Sequence, residues 1–340
     1  MMQLVLLTVF VCLVCIVCLA WLAWSARHQK HRLAASRVLV GLAAVPVKNQ
    51  FRAELDNNIP SSIFPSLPAA PSNPNSLSKP QLGQTGQTGP TGVPHVVYRT
   101  WPDQSYHNMP GLVQADKTTK MVLARHNPDW QHLVFDNQAC QAFVEQHFAA
   151  WPAIIWAYNA LNYGVMKADF WRYLVIYQNG GMYLDMKSSI TDLPTYLDFD
   201  SCDKAVVMAW PFQKHLFRKH GEYVNWMVMA PPKSDFLWQV VWQVVRNVQA
   251  VLHDPDENFL KLVSWFGEPN PKASILCLTG PIMYTYVART YSQHVVVQDR
   301  LLECFKYDLA GQHRKAVLKA SHYSKQAKQL VVSNTQCPSW

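Results

Sequence analysis

The chain has 340 residues, 49% hydrophobic, 12% aromatic and 15% charged, with a formal net charge of +8. This mixture excludes an intrinsically disordered chain, which needs low hydrophobicity and high charge, and it excludes collagen-like or low-complexity repeats. The charge is uneven. Arg27, Lys30, Arg32, Arg37, Lys48 and Arg52 precede residue 53 with no acid among them, Glu54, Asp56 and Lys79 follow, and residues 94–340 keep +3 of the total. A nucleic-acid partner needs a basic footprint on a folded domain, so nucleic acid is set aside.

Leu4 to Trp24 carries no charge. As a helix it would be roughly 32 Å long, enough to cross a bilayer core. Trp21 and Trp24 suit the water interface. Residues 1–26 are therefore expected to be a membrane anchor of the signal-anchor type. The alternative is a cleaved signal peptide, with Ala23-Trp24-Ser25 as the small-x-small site. Cys12, Cys15 and Cys18 lie within this span and suit packing or acylation better than metal ligation. The basic residues follow the span, and the positive-inside rule would keep that side cytosolic, whereas a lumenal catalytic domain needs the opposite orientation. Residues 27–93 read as a basic flank and a flexible stem. Asn57 to Val93 holds seven prolines and four glycines, too little apolar surface to fold alone.

The globular head is expected over 94–340. His95–Tyr98 is a short β-branched run and a first strand. Asn127-Pro-Asp-Trp130 is turn chemistry before a second strand, Gln131–Phe135. Gln138–His147 reads as a helix. Tyr158–Tyr177 is long, aromatic-rich and reads as mostly helical, stopping at Asn179-Gly180-Gly181. Met182–Asp185, Ala205–Trp210 and Trp226–Ala230 read as apolar strands, and Phe236–Leu252 as an apolar-periodic helix. Strands alternating with helices predict an α/β head with a mostly parallel, mixed sheet. Cys140, Cys202, Cys277, Cys304 and Cys337 have no zinc spacing, and their odd number allows two disulfides with one thiol left over, or none.

The chemistry concentrates between Ala168 and Lys187. Asp169, Arg172 and Tyr173 are spaced i, i+3, i+4 and share one helix face, which suits a polar ligand or an ordinary ion pair. Gly180-Gly181 permits a tight reversal. Tyr183 then leads to Asp185 at the carboxyl end of a strand, where ligands bind in open α/β sheets. A carboxylate there can hold a divalent metal, or simply cap a loop.

The stretch Gly180-Gly181-Met-Tyr183-Leu-Asp185 resembles the signature of glycosyltransferase family 32, which includes fungal α-1,6-mannosyltransferases and capsular-polysaccharide synthesis proteins. Pro94–Trp101, Asn127–Trp130, Asn225–Pro231 and Leu278–Pro281 resemble further landmarks of that family, in the same order. The resemblance implies a GT-A type nucleotide-sugar-binding domain, transfer of a hexose with retained anomeric configuration, and Mn²⁺ or Mg²⁺. It implies UDP- or GDP-hexose as donor, a glycan, glycoprotein or glycolipid hydroxyl as acceptor, and a Golgi or other secretory membrane with a lumenal head. It casts Asp185 as the first acid of the DxD motif and Asp169 as a partner of donor hydroxyls. Arg172 would contact the donor sugar or phosphate, and Trp101 would stack on the base. Tyr98, Thr100, Tyr173, Gly181 and Tyr183 fall at donor-side positions. Asn225, Thr279 and Gly280 would lie near the reacting sugar, and His322 near the metal.

The sequence departs from the family at Lys187, where a second Asp is usual. A protonated lysine cannot ligate a metal but can meet a phosphate. Three readings follow: Lys187 supplements or partly replaces the metal; Lys187 is solvated and the metal uses Asp185, His322 and water; or the chain is a non-catalytic, membrane-tethered carbohydrate- or nucleotide-sugar-binding module. Asp192, Asp198, Asp200 and Asp203 read as a solvated acidic loop. Lys214, His215, Arg218, Lys219 and His220 read as an exposed basic one.

Overall fold

The computed structural model describes residues 92–126, 128–210, 222–253, 271–308, 329–332 and 336–338, all within the unit Asn58–Trp340. The expected anchor, the flank and stem up to residue 91, Asn127, the basic loop from Lys214 to His220, and His322 lie outside the described residues. Among the described residues no helix is long and apolar enough to cross a membrane.

The order of elements is β1 (Val96–Thr100), α1 (Pro110–His126), β2 (Gln131–Phe135), α2 (Asn137–His147), α3 (Pro152–Ala160), α4 (Gly164–Asn179), β3 (Gly181–Leu184), β4 (Ser189–Ile190), β5 (Ala205–Val207), β6 (Ala209–Trp210), β7 (Glu222–Tyr223), β8 (Met227–Ala230), α5 (Asp235–His253), α6 (Pro271–Leu278), α7 (Pro281–Thr290), β9 (Val295–Val297), α8 (Leu301–Cys304) and β10 (Phe305–Lys306). Six strands form one mixed sheet in the order β2-β1-β3-β8-β5-β9. The β1–β2, β1–β3 and β5–β9 pairs are parallel. The β3–β8 and β5–β8 pairs are antiparallel. The α/β architecture expected from the sequence is therefore present.

Both sheet faces are covered, and the period of two in each strand decides which side chain goes where. Tyr98, Tyr183, Val228, Ala230, Ala205 and Val207 face a core built with Phe170, Trp171 and Leu174 of α4 and Phe236, Trp238 and Trp242 of α5. Their neighbours Val97, Met182, Leu184, Met227, Met229 and Val206 face a second core with Val122 and Leu123 of α1, Ile190 and Phe305. With both faces buried the strands read as continuous apolar runs rather than alternating ones. Each fully buried Val, Leu or Phe adds about 1.5–3 kcal/mol relative to exposure.

The two glycines after α4 are sterically required. Gly180 caps the helix at φ 69°, its N–H bonded to Ile176 O at 2.8 Å. Gly181 follows at φ 94°. A Cβ on Gly180 would lie 2.6 Å from Pro232 Cδ, and one on Gly181 would lie 2.8 Å from Val96 O. These contacts and the left-handed backbone leave room for hydrogen alone, so the chain reverses directly from α4 into β3.

The sequence differs from the structure in the helical layer. Tyr158–Tyr177 is mostly helical as expected, but its helix is broken into two. Ala160, Leu161 and Asn162 turn aside to pair with the C-terminal segment: Val332 N–H donates to Ala160 O at 2.9 Å and Asn162 N–H to Leu330 O at 3.0 Å. Helix α1 is absent from the sequence reading because two of its core-facing positions, Asp116 and Thr119, are polar and break the apolar stripe of Leu112, Ala115, Val122 and Leu123. The strand expected at Met182–Asp185 is shifted by one residue, so Asp185 stands just beyond its end. The five cysteines of the head are free thiols.

Candidate active site

Asp185 is delivered by the end of β3, and its N–H still bonds Trp226 O at 2.9 Å across to β8. The chain then turns, with Ser188 N–H donating to Asp185 O at 2.8 Å. The strand does not continue, so Asp185 and Lys187 are set by this turn rather than by strand periodicity.

Arg172, one turn after Asp169 on α4, joins the helix to the strand end. Its Nη2 lies 3.1 Å from Asp169 Oδ1 and 3.2 Å from Asp185 Oδ1. Its Nη1 donates to Asn225 O at 2.6 Å and its Nε to Ala168 O at 3.2 Å. The guanidinium lies 4.5 Å from the centre of the Tyr183 ring. A planar fork with fixed donor directions can bracket two carboxylates in this way; a lysine cannot.

Asp169 is 5% exposed. Beyond Arg172 it accepts from Asn225 Nδ2 at 3.1 Å and from Thr279 Oγ1 at 3.1 Å. Asn225 also donates to Tyr173 Oη at 2.9 Å, and Tyr173 donates to Thr279 O at 2.8 Å. Burial pushes the Asp169 carboxyl up to about 6, working against Arg172 and helped by the like charge of Asp185. Burial opposes the charge on Arg172, but Tyr183, Asp185 and Asp169 outweigh it and hold its pKa above the ordinary arginine value. Burial pushes the phenols of Tyr173 and Tyr183 well up, so both stay neutral hydrogen-bond donors near pH 7.

Lys187 Nζ lies 3.7 Å from Asp185 Oδ2 and 4.8 Å from the centre of the Tyr307 ring. Tyr307 sits against Trp210 and Trp226, with ring centres 5.6 Å and 5.5 Å away. The indole N–H of Trp226 is buried without a hydrogen-bond partner among the described residues. The turn itself is held from within the core. Fully buried Arg99 on β1 donates to Met186 O at 3.2 Å, Ser188 O at 3.1 Å and Thr119 Oγ1 at 2.7 Å. Burial pulls Arg99 down to about 10, with Asp116 opposing, so it stays charged at neutral pH. Asp116 lies 3.9 Å from Arg99, 2.8 Å from Lys120 and 3.1 Å from His132. Burial alone would raise the Asp116 carboxyl, but His132, Lys120 and Arg99 hold it below the ordinary carboxylate range.

The structure thus brings together Asp169, Arg172, Tyr173, Tyr183, Asp185, Lys187, Asn225 and Thr279. Other expected positions take different contacts. Tyr98 is buried against Phe135, and Asn179, at the opposite end of β3 from Asp185, hydrogen-bonds its phenol. Thr100 donates to Phe135 O at 3.0 Å. Trp101 packs with Tyr106 and Leu112 against Met186, beside the turn. Gly181 serves the backbone reversal, and Gly280 caps α7, where a Cβ would meet Leu276 Cα at 2.8 Å. In the acidic loop, Asp192 pairs with His126 at 2.7 Å and Asp198 accepts from Ser201 Oγ at 2.7 Å. The sequence gives Arg99, Trp226 and Tyr307 no role at this site. Arg99 shares its strand face with Val97, and a charge on a core-facing strand position is a signal that a buried partner exists; nothing local marks Tyr307.

A divalent ion finds little to bind among these groups. Asp185 Oδ1 is engaged by Arg172 and by Tyr183 Oη at 3.0 Å, and Oδ2 faces the Lys187 ammonium. Both Asp169 oxygens accept internal donors. Hard cations need several free oxygen ligands, and the described residues gather no group of three His, Cys, Asp or Glu side chains for one.

A further buried acid, on β7, lies outside this cluster. Glu222 is 6% exposed and its Oε2 has no hydrogen-bond partner among the described residues. Burial pushes it up to about 7, with Lys272 pulling the other way. A raised folded-state pKa means the stability is present below the unfolded value near 4.5 and is lost as pH rises toward 7. Chemical denaturation at pH 5 and pH 8 should show wild type losing up to about 3 kcal/mol more than Glu222→Gln between those values. Equal pH slopes would contradict this.

Residues 114–191 match the family described as a glycosyltransferase sugar-binding region containing a DXD motif. The match contains Asp169, Arg172, Asp185 and Lys187. The initiation-specific alpha-1,6-mannosyltransferase of Schizosaccharomyces pombe is 24% identical over 210 residues, 58% of this chain and 48% of that protein. The Candida albicans protein of the same name is 37% identical over 60 residues, 18% of this chain and 16% of that protein. Inositol phosphoceramide mannosyltransferase 1 of Schizosaccharomyces pombe is 23% identical over 152 residues, 44% of this chain and 42% of that protein. The chain spans less than half the length of each of these relatives.

Proposed function

We propose that this chain, whose residues 114–191 carry the glycosyltransferase sugar-binding region of the DXD type, is a glycosyltransferase of GT-A type. It moves a hexose from a nucleotide sugar to a hydroxyl of a glycan, glycoprotein or glycolipid, with retained anomeric configuration. The observation that carries the reading is the junction of Asp169, Arg172 and Asp185 at the carboxyl end of β3. This is the edge where open α/β sheets take ligands. The mannosyltransferase names of the relatives make mannosyl donors the first to try.

In this reading the cations at the β3 end meet the charge that develops as the nucleoside diphosphate leaves. Arg172 sets the positive field from inside, and Lys187 presents its ammonium beside it. Asp169, tied to Arg172, Asn225 and Thr279, is a positioning residue rather than a hydroxyl contact. Trp101, next to Met186 of the turn, can stack on the base. Asp185 is engaged at Oδ1 by Arg172 and Tyr183 and at Oδ2 by Lys187, so it is not the proton acceptor in this reading. The departing diphosphate oxygen therefore takes the proton of the acceptor hydroxyl as its oxygen bonds to the anomeric carbon. The described residues leave a divalent ion few free oxygens, and no step above relies on one. The Leu4–Trp24 span and the Pro/Gly-rich stem support a single-pass anchor in a Golgi or other secretory membrane with the head in the lumen. Protease protection in sealed vesicles tests that orientation.

Lysine in place of the second acid also supports a second reading, a tethered module that binds the nucleotide sugar without cleaving it. Release of free nucleotide from a panel of UDP- and GDP-hexoses separates the two. The transferase reading expects slow donor hydrolysis with at least one donor. Donor binding with no release by any of them would favour the module.

A further inference from the structure

We propose that the Lys187 ammonium is a built-in cation standing in for the divalent ion at the diphosphate of the donor. The proposal rests on the transferase reading and adds to it the way in which diphosphate charge is met.

A DXD motif loaded with a divalent cation combines two carboxylates with two positive charges, a local sum of zero. Here the motif position reads Asp185-Met186-Lys187, one carboxylate with one ammonium. It reaches the same sum without any added ion. Substitution of an acid by lysine changes the site by two units, which is the charge a divalent ion would bring.

Geometry supports the same conclusion. A solvated lysine would extend away from the protein. Lys187 instead turns back over Tyr307 at 4.8 Å and toward Asp185 at 3.7 Å, with its side chain only 25% exposed. An ammonium over an aromatic face is partly desolvated, and Lys187 also hydrogen-bonds the Tyr307 side chain. The turn that carries it is fixed at both flanking carbonyls by Arg99, which bonds Met186 O and Ser188 O. Lys187 thus stands on a turn whose backbone is fixed on both sides. Arg172 holds Asp185 on its other oxygen, so the carboxylate stays in register with the ammonium without a metal. The oxygens that a metal would need are the ones these two cations occupy.

The test is titration calorimetry of UDP and of GDP into the full-length chain, in EDTA and again in millimolar Mn²⁺, for wild type, Lys187→Arg, Lys187→Ala and Lys187→Asp. Wild type is expected to bind one of the two nucleotides in EDTA within about threefold of its affinity in Mn²⁺. Lys187→Arg should keep that independence, and Lys187→Ala should bind about tenfold or more weakly in EDTA. Lys187→Asp should bind only with Mn²⁺, and electron paramagnetic resonance should then detect bound Mn²⁺. Wild-type affinity at least tenfold weaker in EDTA than in Mn²⁺ would overturn the proposal and leave the transferase reading standing. So would Lys187→Ala matching wild type in EDTA. Absence of binding by either nucleotide in both buffers would overturn the proposal and the transferase reading together. Should Lys187→Ala fail to fold, wild type and Lys187→Arg still decide the matter.

Discussion

Arg172→Met should be the most damaging single substitution in the head. It leaves Asp169 and Asp185 facing one another with no guanidinium between them, Asp169 being 5% exposed. Removing one partner of a buried charged group typically costs about 3–5 kcal/mol, because the remaining charge is stranded. For a domain of this size each kcal/mol shifts the melting temperature by roughly 2–4 °C, so a fall on the order of 10 °C is expected. The loss should shrink on acidification. Without Arg172 the Asp169 carboxyl is raised further above its unfolded value, so its neutral form favours the fold at low pH and that support disappears as pH rises. Thermal unfolding at pH 5 and pH 8 checks both points. Arg172→Lys should not rescue, since an ammonium cannot reach both carboxylates together with Asn225 O and Ala168 O. A melting temperature within a few degrees of wild type would mean that the arginine is not the keystone of this cluster.

Asp185→Asn should separate chemistry from stability. The amide keeps the shape of the side chain, Arg172 keeps Asp169 at 3.1 Å, and the backbone bond from residue 185 to Trp226 O is untouched. The fold should therefore survive with a modest loss. The charge that orders Arg172 and Lys187 is gone, however, and the two cations would no longer share a fixed anchor. Loss of one preorganised electrostatic contact at a reacting group costs roughly 10²–10³ in turnover. Nucleotide release from the active donor should fall by about that factor. An Asp185→Asn protein that hydrolyses donor at the wild-type rate would remove this carboxylate from the mechanism.

The parts legible in the sequence were those written in local pattern. The Gly180-Gly181 pair marks the reversal because only hydrogen fits beneath Val96 O and Pro232. The i, i+3 spacing of Asp169 and Arg172 put them on one face, and the following strand carried Asp185 to the same end. Gln131–Phe135 was readable as the strand that follows the Asn127–Trp130 turn chemistry. Other features depend on distant chain and left no local trace. The break between α3 and α4 comes from pairing with residues 329–332, far along the chain. Helix α1 hides its periodicity behind Asp116 and Thr119, which face Arg99 on a strand. Tyr307 meets Lys187 only because β10 pairs with β4, just after the turn. Asp169 was expected to greet the donor, but Asn225 and Thr279 close around it from two other elements.

The most direct measurement is a crystal structure of the full-length chain with the nucleoside diphosphate it binds. The account predicts the diphosphate at the β3 end, its oxygens within hydrogen-bond reach of Lys187 and close to Arg172 and Asp185, with the base toward Trp101. A nucleotide bound elsewhere on the head, with the Asp169–Arg172–Asp185 cluster facing no ligand, would contradict it.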